Sequence, residues 1–209
     1  MQTIAIVDYK AGNLTSVAHA LEHLGHRCEI TDRPEKVRAA DRVILPGVGA
    51  AGATMENLRA LGLDQCLRND VAKRGTPFLG ICIGIQVLLT HSDEDGGIDC
   101  LDIIDGRVVK FPTSVDGRPV KVPQIGWNRV HHERPHPIFA GVPDNSHVYF
   151  VNSFHPVTNS QSDVIGSSDY GIAFTAAIAR DNVVATQFHL EKSGAAGLRM
   201  LDNFCRMKF

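Results

Sequence analysis

The sequence has no long apolar run, no block of lysine and arginine, and no Cys-x-x-Cys pair. Without roughly 20 consecutive apolar residues, no segment reaches the length of a membrane-spanning helix. The 21 basic and 23 acidic residues leave a formal charge of −2 and a pI near 6.5, so no membrane partner and no nucleic acid is expected. The opening residues carry neither the basic flank nor the cleavage site of a signal peptide, which predicts a cytoplasmic protein. The five cysteines (28, 66, 82, 100 and 205) are an odd number at irregular spacing, which excludes a disulfide framework and a zinc motif. The default for each is a small buried apolar side chain. His131, His132 and His136 lack helical spacing and are interrupted by Pro135 and Pro137, so they read as a solvated loop; no metal and no cofactor is expected. Repeats, low-complexity tracts and linkers are also missing, and 209 residues with 44% hydrophobic content suit a single domain over 1–209.

What is present alternates between strand and helix. Residues 3–8 form an apolar run suited to a buried parallel strand. Leu14, Val17, Leu21 and Leu24 lie on one face of a helix that should stop at Gly25. Strands are expected at 28–31 and 42–46, a helix over 52–70, and a fourth strand at 77–81 leading into a helix with Ile85, Val87, Leu88 and Leu89. This rhythm predicts a flavodoxin-like, doubly wound, mostly parallel sheet in an α/β fold. Beyond residue 100 short β-rich stretches (101–111, 128–131, 147–151, 172–179 and 183–188) are separated by turn residues and favour antiparallel additions. A last helix should begin near Ser193 as N-cap, with Leu198, Leu201 and Cys205 facing the core.

One cysteine departs from the default. Cys82 sits where the strand ending at Ile81 meets a helix, flanked by Gly80 and Gly84 as Gly-x-Cys-x-Gly. A nucleophile elbow requires this, because the tight turn leaves no room for side chains at the flanking positions. The sulfur should then be exposed at the carboxyl edge of the sheet, above a helix N-terminus that favours thiolate. The N–H of Ile83 should point to where an oxyanion forms.

A nucleophilic cysteine needs an adjacent base. The apolar strand beginning at Val183 ends in His189, with Glu191 two residues on, and alternation puts both on one side of an extended chain. Glu191 can then hold the imidazole tautomer. The glycine-rich segment Leu45-Pro46-Gly47-Val48-Gly49-Ala50 also follows a buried strand, so it should lie beside the elbow and offer a second oxyanion donor from Val48 or Gly49. It lacks the spacing of a dinucleotide loop.

These segments, with Asp8–Val17, Lys121–Asn128 and Tyr149–Phe154, resemble the class I glutamine amidotransferases almost end to end. Within that class they are most similar to the glutaminase subunits of imidazole glycerol phosphate synthases of histidine biosynthesis. The resemblance implies a triad of Cys82, His189 and Glu191, and glutamine binding by Gly49, Gln86 and the backbone around Ser153. It implies an oxyanion strand at Pro46–Gly49, and Trp127, Asn128, Tyr149 and Lys192 at the interface with a (βα)8-barrel cyclase as heterodimer partner. Glutamine is the implied substrate, and ammonia is handed to that partner. Four positions depart from the commoner family pattern: Lys10 replaces glycine, Gln124 and Asn152 replace histidines, and Leu190 replaces the proline between His189 and Glu191. The last change is expected to relax the backbone between base and orienter. The departures also fit a paralogue that serves another aminated product such as a surface sugar. The further alternatives are a stand-alone cysteine hydrolase and a non-catalytic regulatory subunit.

Overall fold

The computed structural model describes residues 2–10 and 12–208; Ala11 of the Asp8–Val17 segment lies outside them, as do Met1 and Phe209. Four short strands, β1 (Ile4–Val7), β2 (Cys28–Thr31), β3 (Arg42–Leu45) and β4 (Phe78–Ile81), pair in parallel, and β4 pairs in parallel with Val183–Thr186. Strands β1, β3, β4 and Val183–Thr186 are buried at every residue, as strands covered on both faces must be. The nine-stranded sheet continues from Val183–Thr186 through antiparallel Ala173–Arg180, Val164–Asp169, Gln124–His132 and Ser146–Asn152. The expected doubly wound α/β sheet with antiparallel additions is therefore what forms. Phe154–Thr158, Gly106–Lys110, His91–Ser92 and Ile98–Asp99 form a second, four-stranded sheet.

Helices cover both faces of the parallel half. On one side Ile4, Ile6, Ile44 and Leu79 pack with Val17 and Leu21 of α1 (Leu14–His23) and with Met200, Leu201 and Phe204 of the C-terminal helix Gly194–Arg206. On the other, Ala5, Val7, Val43 and Leu45 meet Val37 of α2 (Pro34–Ala39) and Met55 and Leu58 of α3 (Ala51–Ala60). Helix α1 ends as expected: Gly25 takes φ +80°, its N–H donates to Glu22 O, and His26 N–H reaches back to Leu21 O. That pair of bonds is a Schellman cap.

Several boundaries differ from the sequence expectation. The helix expected over 52–70 is broken, because Gly62 in the left-handed region (φ +67°) closes α3. The chain then restarts as α4 (Leu63–Gln65) and a π-helical stretch, Cys66–Ala72. The elbow helix α5 is only Ile83–Val87. Its last carbonyl, with those of Leu88 and Leu89, accepts N–H bonds from residues 101–104, so that part of the expected 101–111 strand serves as a cap instead. His131 and His132 end a strand, His132 stacking on Phe139 at 4.0 Å, and His136 caps a 3-10 turn by accepting from Ile138 N–H, so these histidines do not form a solvated loop. Helix α6 (Gly194–Arg206) starts after Ser193 with Leu201 and Cys205 buried and Leu198 partly buried. Ser193 uses its hydroxyl elsewhere and makes no side-chain cap. Among the described residues no helix is long and apolar enough to cross a membrane, and no group of His, Cys, Asp and Glu is arranged to hold a metal.

Candidate active site

Strand β4 lies between β3 and Val183–Thr186, so three consecutive carboxyl ends of parallel strands emerge side by side. They carry the Pro46–Gly49 loop, Cys82, and the Gln187–Glu191 segment. Ligands bind at this edge of an open parallel sheet.

The elbow is strained and tightly packed. Cys82 adopts φ +56° and ψ −104°, and its N–H donates to Thr186 O at 2.8 Å, which pins the turn to the neighbouring strand. A Cβ on Gly84 would stand 2.1 Å from Leu45 O, and one on Gly80 would stand 2.9 Å from the Gly84 carbonyl carbon. Both flanking glycines are thus required by close backbone approach. Two details correct the sequence reading. Cys82 is 5% exposed, so the sulfur lies recessed within a cleft at that edge and is not openly exposed. Helix α5 has five residues, too few for a large macrodipole, so local N–H groups must carry the stabilisation of a thiolate. The other thiols behave as the default has it. Burial pushes Cys100 up to about 11 and Cys205 up to about 12, and it raises Cys66 and half-buried Cys28 as well.

His189 and Glu191 meet at 2.7 Å, Nδ1 to Oε1, with each side chain only 2% exposed. Burial alone would lower the imidazole pKa, but the Cys82 sulfur and then the Glu191 carboxylate outweigh it and raise the value to about 9. His189 Nε2 has no hydrogen-bond partner of good geometry among the described residues, which leaves it available to a reacting group. The backbone of this segment is held independently of residue 190. His189 N–H donates to Tyr149 O at 3.0 Å, Ser193 Oγ donates to His189 O at 2.5 Å, and Tyr149 N–H donates to Ser193 Oγ at 3.0 Å. Leu190, fully buried, begins a 3-10 turn, a position that needs no N–H acceptor.

A cavity of about 260 Å³ is lined by Val48, Gly49, Cys82, Ile83, Gln86, Asn152 and Ser153, together with Glu94, Pro123, Val151 and Phe154. It brings together every residue expected for the oxyanion hole and for substrate binding. Gly49 has φ +122° with open space around its Cα, so its glycine serves conformation; a Cβ on Gly47 would instead fall 1.6 Å from the buried Tyr9 hydroxyl. Glu94, absent from the sequence reading, is the acidic residue of the lining, and its Oε2 accepts Ala51 N–H at 2.6 Å. Gln187 was missed as well: it is fully buried, accepts from Gln86 Nε2 at 3.1 Å, and places its own Nε2 3.9 Å from Cys82 Sγ. The two-residue alternation that pairs His189 with Glu191 extends back to Gln187 and was the available signal.

Of the four expected interface residues, three cluster. Trp127 and Tyr149 are cross-strand partners in edge-to-face contact at 6.1 Å, and Lys192 Nζ lies 5.9 Å from the Tyr149 ring centroid. Trp127 is 56% exposed and Ile125, two residues earlier on the same face, 60%. Asn128 does not join them: its Nδ2 donates to Asp169 O at 2.7 Å and its Oδ1 accepts Arg129 N–H. At the departing positions, Lys10 has φ +66°, a backbone conformation that favours glycine. Gln124 and Asn152 are a buried cross-strand pair whose side-chain oxygens have no partner among the described residues.

Comparison with known proteins identifies the family. The family described as glutamine amidotransferase class-I matches residues 5–207. The chain is 47% identical over 212 residues to an imidazole glycerol phosphate synthase subunit HisH from Methylococcus capsulatus, covering 99% of this chain and 97% of that one. It is 47% identical over 206 residues to the same-named subunit from Chloroflexus aurantiacus, covering 97% and 95%. Among solved structures, PurLQS from Thermotoga maritima aligns with a TM-score of 0.71 at 16% identity, covering 98% of this chain and 97% of that one, a likeness of fold.

Proposed function

Because the chain belongs to the class I glutamine amidotransferases, we propose that it is the glutaminase subunit of an imidazole glycerol phosphate synthase, with residues 1–209 as one catalytic domain. The observation that carries the proposal is the strained Cys82 elbow beside a buried His189–Glu191 pair, at adjacent strand ends.

Glutamine enters the cavity with its carboxamide at Cys82. Gly49, Gln86 and Ser153 bind it, and the Glu94 carboxylate suits its α-ammonium. The thiolate adds to the carboxamide carbon, forming a C–S bond while the carbonyl electron pair moves to oxygen. Ile83 N–H, first in α5 and without an intrahelical acceptor, and the Val48–Gly49 peptide hold that oxyanion. His189, as imidazolium, protonates the leaving nitrogen, the C–N bond breaks, and ammonia departs from a thioester. Neutral His189 then takes a proton from water, the hydroxide adds, and the C–S bond breaks to give glutamate and thiolate. Glu191 holds the tautomer and the charge throughout.

Ammonia released into water would be protonated and lost as a nucleophile, so it passes to a partner. The face formed by exposed Trp127 and Ile125 with half-buried Tyr149 and Lys192 fits a (βα)8-barrel cyclase, which uses the ammonia to form imidazole glycerol phosphate and AICAR in the cytoplasm. The test combines Cys82→Ala with the cyclase and its ribonucleotide. Glutamine-dependent turnover should vanish while ammonia-dependent turnover persists; retained glutamine-dependent turnover would rule out Cys82 as nucleophile. Trp127→Ala should weaken the complex by about 2 kcal/mol. Unchanged affinity would remove that face from the interface.

A further inference from the structure

Gln187 is fully buried, and its side-chain nitrogen has one acceptor among the described residues, the Cys82 sulfur at 3.9 Å. Its orientation is set from a distance. Phe154 O is a main-chain carbonyl and can only accept; it takes Gln86 Nε2 at 3.2 Å and Asn152 Nδ2 at 2.9 Å. Gln86 Nε2 spends its second N–H on Gln187 Oε1 at 3.1 Å. With both hydrogens of Gln86 committed, Gln187 must present its oxygen to Gln86 and its nitrogen to the sulfur. Turning Gln187 over would oppose two N–H2 groups and aim carbonyl lone pairs at Cys82. The polarity of one backbone carbonyl is thus carried through two amides to the nucleophile.

We propose that the Phe154–Gln86–Gln187 relay delivers an N–H to the Cys82 sulfur and holds it as thiolate between turnovers. The inference deepens the glutaminase reading and rests on it. A thiol is a weak acceptor, and a buried N–H spent on one is poorly compensated. A thiolate makes the same contact charge-assisted. The short α5 leaves room for such a contribution, since a five-residue helix supplies little dipole. Gln86 then serves twice, its nitrogen in the relay and its oxygen free for substrate.

The test is the pH dependence of Cys82 alkylation by iodoacetamide in the full chain, read on the Cys82 peptide by mass spectrometry between about pH 5 and about pH 10. Gln187→Met removes the N–H, and Gln187→Glu keeps the acceptor for Gln86 but turns an oxygen toward the sulfur. The acid limb should move upward by about one pH unit in Gln187→Met and further in Gln187→Glu. The plateau at high pH, where the thiolate forms regardless, should match the wild type in both. A merely structural staple would change the Michaelis constant and melting temperature but leave the acid limb in place, which would overturn the proposal. If Gln187 variants fail to fold, Gln86→Leu tests the same relay, since freeing the Gln187 amide should also raise the limb; an unmoved limb there refutes it. Labelling of wild-type Cys82 by 6-diazo-5-oxonorleucine separates the two levels of inference. Its failure would count against the glutaminase reading, whereas the alkylation profile reports on the relay alone.

Discussion

Replacing Gly84 by alanine tests whether the elbow is built by close packing. The new Cβ would lie 2.1 Å from Leu45 O, a backbone atom at the carboxyl end of β3, which is paired on both sides. No rotamer change relieves that contact. An ordinary carbon–oxygen approach of about 3.3 Å requires a displacement of roughly 1 Å between α5 and β3. Overpacking against an immovable neighbour costs about 3 kcal/mol. For a chain of this length that corresponds to a fall of about 6–12 °C in melting temperature. The same displacement moves Ile83 N–H and Cys82 relative to the Val48–Gly49 peptide, so covalent labelling by the glutamine analogue should slow about a hundredfold. Calorimetry and labelling kinetics on the purified chain read both effects. For the melting temperature Gly49→Ala is the control: nothing stands within 4 Å of its Cβ, so its stability cost is confined to φ +122°. A Gly84→Ala protein that melts with the wild type and labels at its rate would refute the packing argument.

Three further outcomes follow from the same geometry. His189 is raised from 6.5 to about 9, so its charged pairing contributes fully below the unfolded value and is lost as pH rises through about 9. The melting-temperature advantage of wild type over His189→Gln should therefore shrink between those two pH values. Cys82 carries a Cβ at φ +56°, so Cys82→Gly should melt about 2–4 °C above Cys82→Ala, the effect of removing about 1 kcal/mol of strain; equal melting would deny the strain. Ser193→Ala removes the hydroxyl that bridges His189 O and Tyr149 N–H and should lower glutaminase kcat about tenfold, whereas Leu190→Pro should lower the melting temperature and leave kcat within about threefold.

The legible parts of the chain were those in which one local pattern has one structural outcome. Fully apolar strands such as Ile4–Val7 and Phe78–Ile81 could only be interior, and Gly80 and Gly84 around Cys82 had a purpose only in a tight turn. Boundaries set by partners far away in sequence were not legible. The length of α5 depends on residues 101–104 capping its carbonyls, and the end of α3 depends on the conformation of Gly62 within an otherwise helical run. Asn128 is expected at an interface from the resemblance of its segment, yet its side chain is spent on Asp169 O across the sheet, a pairing that only the register reveals.

Leu190 shows why local rules fall short at the site itself. With proline absent, the backbone between His189 and Glu191 has more freedom in isolation, and a looser base–orienter contact is the direct expectation. The folded contact is nevertheless 2.7 Å. Proline would restrict one φ angle, but the segment is already fixed from outside by Tyr149 O, by Ser193 Oγ, and by the Gly197 N–H that bonds Ser193 O. Gly197 is itself forced, since a Cβ there would come within 2.1 Å of Leu190 O. The Leu190 side chain meanwhile adds fully buried apolar surface, which proline would supply only in part. Rigidity at the base is thus supplied by tertiary hydrogen bonds and helix packing, and residue 190 is free to serve the core.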